Sequence, residues 1–232
     1  MIVKADEITK QFLRKRENSN VFYAVEKTTA EFRGGNLIMI YGQSGSGKST
    51  WMNMLGGILQ PSSGRVLYDR TELYAMDDDT LSKFRNQHIG MIPQGQTAIH
   101  SMNVRENILL PFSLYGKEIS AETGERADRM LEEMGIADLS AVMPSELSGG
   151  ELRRMAIARA LIRQPEVIFA DEPTGDLDDE NTRTVLSILR RQADMGKLVM
   201  VVTHDREVAE FADLTYRMSG GRLCLEEPEQ IV

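Results

Sequence analysis

A chain of 232 residues with a formal net charge of −8, 41% hydrophobic and 27% charged residues has the make-up of an ordinary globular protein, long enough to bury a real core. Its 35 acidic against 27 basic residues exclude the broad positive field that sequence-independent nucleic-acid binding needs, so no nucleic-acid partner is expected. The longest apolar runs, such as Leu198 to Val202, reach about a quarter of the ~20 residues of a membrane-spanning helix, and the single Cys224 excludes an internal disulfide.

The N-terminal MIVKADEITKQF has no apolar core after its first charges, so no secretory signal is expected and the cytosol is the expected compartment. Gly34-Gly35 marks a tight turn into the apolar run Leu37–Tyr41. Further strand-like runs follow at Ile89–Ile92, Val167–Ala170 and Leu198–Val202, several leading into helix-compatible segments. That alternation predicts an α/β fold with a buried, largely parallel sheet. From Val104 to about Leu147 the patterns are helical, punctuated by Pro111, Gly116 and Pro144, which predicts a helical lobe inserted into the α/β body. Asp77–Asp79 reads as a solvated helix start, Glu226–Gln230 as a loose tail, and Cys224 as a small core residue of a C-terminal strand.

Directly after the first run comes Gly42-Gln43-Ser44-Gly45-Ser46-Gly47-Lys48-Ser49, with Thr50 opening STWMNMLGGIL, a segment that suits a helix. This satisfies G-x-x-x-x-G-K-[ST] in the strand–loop–helix context that a phosphate-binding loop requires. Glycines let backbone N–H groups wrap a polyphosphate, Lys48 reaches the β and γ groups, and the Ser49 hydroxyl can ligate Mg²⁺. A nucleotide and Mg²⁺ are therefore the expected ligands.

The run Val167–Ala170 ends on Asp171 and Glu172, two acids at the carboxyl end of a strand, where open α/β sheets place their ligands. Asp171 is positioned to hold Mg²⁺ and Glu172 to polarise a water attacking the γ-phosphate. Upstream, Ser148-Gly149-Gly150-Glu151 opens a helical segment with Met155, Ile157, Ala158, Leu161 and Ile162 on its apolar face. Those residues form either a second anion cradle or an ordinary glycine-containing N-cap.

Phosphate-binding loop, downstream glutamine, L-S-G-G-x, strand-Asp-Glu and a later histidine occur in the order found in ATP-binding-cassette (ABC) ATPases, which the chain resembles over nearly its whole length. The resemblance implies one domain over 1–232, a P-loop NTPase (RecA-like) core with a parallel sheet at about 1–93 and 164–232, an N-terminal antiparallel β subdomain, and a helical subdomain at about 94–163. It implies that Phe12, with Tyr23 as the alternative, stacks on adenine, and that Gln94 touches Mg²⁺ or the attacking water. It also assigns Gly175-Asp176-Leu177-Asp178 to the loop that crosses the dimer interface, with Asp178 as its acid, and His204 to the γ-phosphate. Glu151 departs from the commoner glutamine, and Leu152-Arg153-Arg154 from the usual glutamine-rich run.

The same resemblance implies a head-to-tail homodimer in which each ATP lies between one chain's P-loop and the other's Ser148 cradle. A separate membrane permease would contact the region after Gln94 and hold the chain at the inner face of the cell membrane. SMNVRENILLPF, PSELSGGE and ADEPTGDLD are most similar to the subfamily of lipoprotein-release, macrolide-export, bacitracin-resistance and cell-division ABC ATPases. Within it a motor for export or mechanical transmission is the first expectation, and a regulatory subunit that signals through its membrane partner is the alternative.

Overall fold

The computed structural model describes residues 1–13, 21–95, 97–116, 119–175 and 177–226, with only the backbone of 206 and 207. Strands β1 (Ile2–Leu13) and β2 (Val21–Arg33) pair antiparallel, and β1 also pairs with β4 (Ser63–Tyr68), which carries the short β5 (Thr71–Glu72). Alternation explains β1: Val3 and Ala5 are fully buried while their neighbours are partly exposed, the period-2 pattern of a sheet with one covered face. Near Glu7, which has φ 53°, the register slips and the strand bends.

The second sheet runs in the order β10-β9-β3-β8-β7-β6. It comprises β3 (Leu37–Tyr41), β6 (Ile89–Ile92), β7 (Val167–Asp171), β8 (Leu198–Thr203), β9 (Leu214–Ser219) and β10 (Arg222–Glu226). All pairings are parallel except β9 with β10. Every residue of β7 and β8 is buried, as expected of continuous apolar strands covered on both faces. Gly35, at φ 87°, turns the chain into β3 and donates its N–H to Lys197 O. The fold is that of a P-loop NTPase-like α/β core with an antiparallel sheet beside it.

Helices α1 (Lys48–Leu55), α2 (Asp78–His88) and α6 (Asp179–Asp194) accompany the strands, while α3 (Val104–Ser113), α4 (Ala121–Glu133) and α5 (Gly149–Leu161) fill the middle of the chain. Asp77 caps α2 by accepting from Thr80 N at 2.7 Å, and its carboxyl is held below the ordinary value by that N–H, so the acidic run is a helix start as expected. No strand lies between 97 and 147 among the described residues. Pro111 sits inside α3 rather than ending it, and its carbonyl is taken by the Asn86 side chain at 3.0 Å. Helix α1 stops at Leu55, before the Gly56-Gly57 pair, and is shorter than the apolar run suggests.

One expectation fails. Cys224 is in the C-terminal strand but exposed, because β10 is the edge strand of its sheet and it is the neighbouring Leu223, on the opposite face, that packs against the core. The loose tail expected at Glu226–Gln230 falls outside the described residues except for Glu226, which closes β10 and accepts from the Tyr41 hydroxyl.

Candidate functional site

Because β3, β8, β7 and β6 are parallel neighbours, the loops that leave their carboxyl ends emerge on one edge of the sheet. Those loops carry Gly42–Gly47, His204, Glu172 and Gln94. They line a cleft of about 680 Å³ together with Phe12, Phe22, Ala24, Lys48, Ser49, Thr50 and Asp171.

The loop between β3 and α1 is pressed against its surroundings. A Cβ on Gly47, at φ 107°, would lie 2.2 Å from Ala24 O, and one on Gly42 would lie 2.1 Å from Met218 O. Only glycine fits either place, which fixes the path that leads into the first turn of α1. That turn contains no acidic residue, so its N–H groups present an undiminished positive end to the cleft. Lys48, 9% exposed, donates from Nζ to Gly42 O at 2.8 Å and Gln43 O at 3.1 Å, bent over its own loop. Gly42, Gln43, Ser44, Gly45 and Gly47 line the cleft; Ser46 does not, and its buried hydroxyl has no partner among the described residues.

Asp171 closes β7 at 7% exposure, and its Oδ1 is buried without a hydrogen-bond partner among the described residues. Burial pushes the carboxyl up from its ordinary value; the Ser49 side chain counters this and the Glu172 charge adds to it. An orphaned carboxylate oxygen beside a serine hydroxyl is a fitting donor set for Mg²⁺, which takes one or two protein oxygens and completes its shell from phosphates and water.

Glu172 has φ 48°, a left-handed conformation that a non-glycine residue adopts at a cost of roughly 1–3 kcal/mol. Its N–H donates to Val202 O at 2.7 Å, which anchors the turn to β8. Thr203 Oγ1 donates to Glu172 Oε2 at 2.9 Å, and His204 Nδ1 lies 2.9 Å from Oε1. The carboxylate is therefore fixed from two sides and set beside an imidazole whose side chain is 79% exposed. That hydrogen bond raises the His204 pKa above its ordinary 6.5. The stabilisation from the pair is full below the ordinary histidine value and is lost as pH rises through the raised one. An NMR titration of His204 is expected to show a raised midpoint that returns towards 6.5 in Glu172→Gln; an unshifted midpoint in the parent chain would refute the pairing.

Three contributors are invisible in the motifs. Phe22 is the cross-strand partner of Phe12, their rings 6.0 Å apart at 26°, and both face the cleft. Tyr23 pairs with Gln11 and does not line it. Thr203 and Thr174 orient the acids: Thr203 Oγ1 accepts from Asp205 N at 2.9 Å while donating to Glu172, and Thr174 Oγ1 donates to Asp205 Oδ2 at 3.1 Å. The signal for Phe22 was available in principle, since the partner of an exposed aromatic across an antiparallel pair shares its face.

Gln94 is exposed on the cleft rim, and the chain beyond it is tied to the helices. Arg153 donates to Pro93 O at 3.0 Å, Arg159 to Thr97 O at 2.8 Å, and the buried Asn107 Nδ2 to the carbonyls of Ile99, Met102 and Asn103. Ser148, Gly150, Glu151 and Asp178 line neither this cleft nor the adjoining one of about 460 Å³, where Gly149 meets Gln94, Glu172 and His204. Ser148 and Glu151 form a capping box on α5. Asp178 caps α6, accepting from Asn181 N at 2.8 Å, which holds its carboxyl below the ordinary value. Asp176 lies outside the described residues.

A family model described as ABC transporter matches residues 25–175. The chain belongs to the ABC transporter ATP-binding family. The cassette is 36% identical over 223 residues to the lipoprotein-releasing system ATP-binding protein LolD of Treponema denticola, covering 96% of this chain and 97% of the relative. It is 33% identical over 226 residues to the macrolide export ATP-binding/permease protein MacB of Vibrio parahaemolyticus, covering 97% of this chain but 34% of that longer protein. Among solved structures, a dimeric ATP-binding cassette in a post-hydrolysis state bound to ADP and Pi superposes with TM-score 0.88 at 33% identity, over 96% of this chain and 98% of that one. A further dimeric bacterial ABC transporter cassette gives 0.85 at 34% identity, over the same shares. Among the described residues of the cassette, no helix is long and apolar enough to cross a membrane.

Proposed function

We propose that the cassette hydrolyses ATP as a homodimer of head-to-tail chains with two ATP molecules between them, driving a separate integral-membrane permease for export or mechanical transmission. The observation that carries the reading is a division of labour. The cleft gathers the P-loop, Gln94, Asp171, Glu172 and His204, while Ser148, Gly150 and Glu151 of the same chain stay outside it. A second copy supplies them, with Asp178 and the loop before it at the contact. The dimeric cassettes to which this chain is similar support that arrangement.

In this reading Lys48, the 42–47 backbone and the first turn of α1 hold the polyphosphate, with Phe12 and Phe22 against the base. Mg²⁺, held by Asp171, Ser49 and Gln94, would neutralise charge on the β and γ oxygens. Glu172 accepts a proton from the attacking water, and His204, paired to the same carboxylate, keeps it aimed at the terminal phosphate. The helical subdomain at 94–163 is tied through Arg153, Arg159 and Asn107 to the segment after Gln94, and we assign the permease contact to that segment. In this reading the chain sits at the inner membrane face through its permease. The LolD and MacB names support a membrane partner.

Complementation tests the arrangement. Lys48→Ala and Ser148→Arg chains are each expected to be inactive alone, because every site in either homodimer lacks one half. Mixed, they form pairs with one intact site, and about a quarter of parental turnover is expected from the pair and site count. Absence of both turnover and ATP-dependent association on mixing would overturn the head-to-tail reading.

A further inference from the structure

The start of α5 is bound up with its own first turn. Glu151 Oε2 accepts from Ser148 N at 2.7 Å and from Ser148 Oγ at 2.8 Å, and Glu151 N donates back to Ser148 Oγ at 3.3 Å. The only hydroxyl proton of Ser148 therefore rests on a carboxylate. The Ser148 N–H holds the Glu151 carboxyl below its ordinary value, so the group is charged at neutral pH. Glu151 is also the acidic residue of the first turn, and Arg154, committed to the Asn181 side chain, is the cation that faces it.

Two consequences follow for an anion approaching this helix end. The Ser148 hydroxyl and N–H that would bond it are already taken, and a negative charge stands where the helix terminus would otherwise attract one. Glutamine at the same place keeps the cap, since a carboxamide oxygen accepts from the same groups, but brings no charge.

We propose that Glu151 sets the strength of the second half-site: its carboxylate must release the Ser148 hydroxyl before that hydroxyl can bond the terminal phosphate of ATP carried by a second copy, and this weakens closure of the pair. The inference rests on the head-to-tail reading above. Glu151 acts through Ser148 and is a tuning residue for that contact. Its cap and its charge pull in opposite directions, the first ordering α5 and the second opposing closure.

Sedimentation of the full chain against ATP concentration, with Glu172→Gln in all variants so that ATP persists, reads the association constant. Adding Glu151→Gln is expected to tighten ATP-dependent association about tenfold. Glu151→Ala is expected to tighten it as well, with a lowered Tm from the lost cap, and Glu151→Asp to leave it no tighter than the parent. With Glu172 intact, Glu151→Gln is expected to lower KM for ATP more than it changes kcat. A cap without electrostatic effect predicts the reverse, with glutamine neutral and alanine weaker. Unchanged association in Glu151→Gln overturns the proposal and leaves the head-to-tail reading standing; no ATP-dependent association in any variant overturns both.

Discussion

Glu172→Gln is expected to bind ATP with little change, to lose turnover by at least a hundredfold, and to accumulate as an ATP-bound dimer. The structural cost should be small. The carboxamide oxygen still accepts from Thr203 Oγ1, and the strained backbone at φ 48° is set by the N–H bond to Val202 O, which the substitution leaves intact. The lost element is an ionised oxygen able to take a proton, the part of the site for which the surrounding residues offer no substitute. Asp171 is buried with its carboxyl pushed up, and His204 depends on the same carboxylate for its raised pKa. Phosphate release measures turnover, and titration with a fluorescent nucleotide measures binding. Undiminished hydrolysis would remove Glu172 from its assigned role, whereas loss of both binding and hydrolysis would mean that the side chain holds the loop and not the water.

The parts of this molecule legible in the sequence are those where one physical demand dominates. Continuous apolar runs mark β3, β7 and β8 because strands covered on both faces tolerate little else, and a shorter one marks β6, the edge strand beside β7 whose residues alternate between partly and fully buried. The P-loop is legible because Gly42 and Gly47 admit no side chain, so composition and geometry coincide. Harder to read was whatever depends on which segments meet. Phe22 enters the cleft only because β1 and β2 place it opposite Phe12. Thr203 looks like one more β-branched strand residue until its hydroxyl is found on Glu172. The left-handed backbone of Glu172 has no local sequence cause, since the turn is imposed by its bond to β8. The exposure of Cys224 is not legible locally, because an apolar-looking strand says nothing about whether it lies at a sheet edge. Pro111 punctuates the helical pattern in the sequence yet lies inside α3, where its carbonyl accepts from the Asn86 side chain of α2, a contact between helices that no local pattern announces.

Gly47→Ala carries the second large expected effect, and it separates the shape of the loop from its charges. The residue is at φ 107° and ψ 3°, where any Cβ is strained, and the added carbon would stand 2.2 Å from Ala24 O and 3.0 Å from Met218 Cε. Side-chain adjustment can relieve the methionine contact. It cannot relieve the carbonyl, which belongs to β2, so the loop must move away from the antiparallel sheet. Strain and displacement together are expected to cost about 2–4 kcal/mol, or a fall in Tm of roughly 5–12 °C for a chain of this size. Gly47 also caps α1, accepting from Trp51 N at 2.8 Å, so the shift carries the first-turn N–H groups and Lys48 with it. ATP affinity is expected to fall by about two orders of magnitude, since donors fixed to a polyphosphate tolerate little displacement. Gly45→Ala provides the graded comparison, for at φ 76° with nothing within 4 Å it meets strain without collision. Its loss of stability should be near 1 kcal/mol and its loss of affinity smaller. Thermal melts and nucleotide titrations of the two variants decide the matter: equal effects would mean that backbone strain alone governs the loop, and a larger effect at Gly47 that its packing against β2 holds the phosphate-binding N–H groups in place.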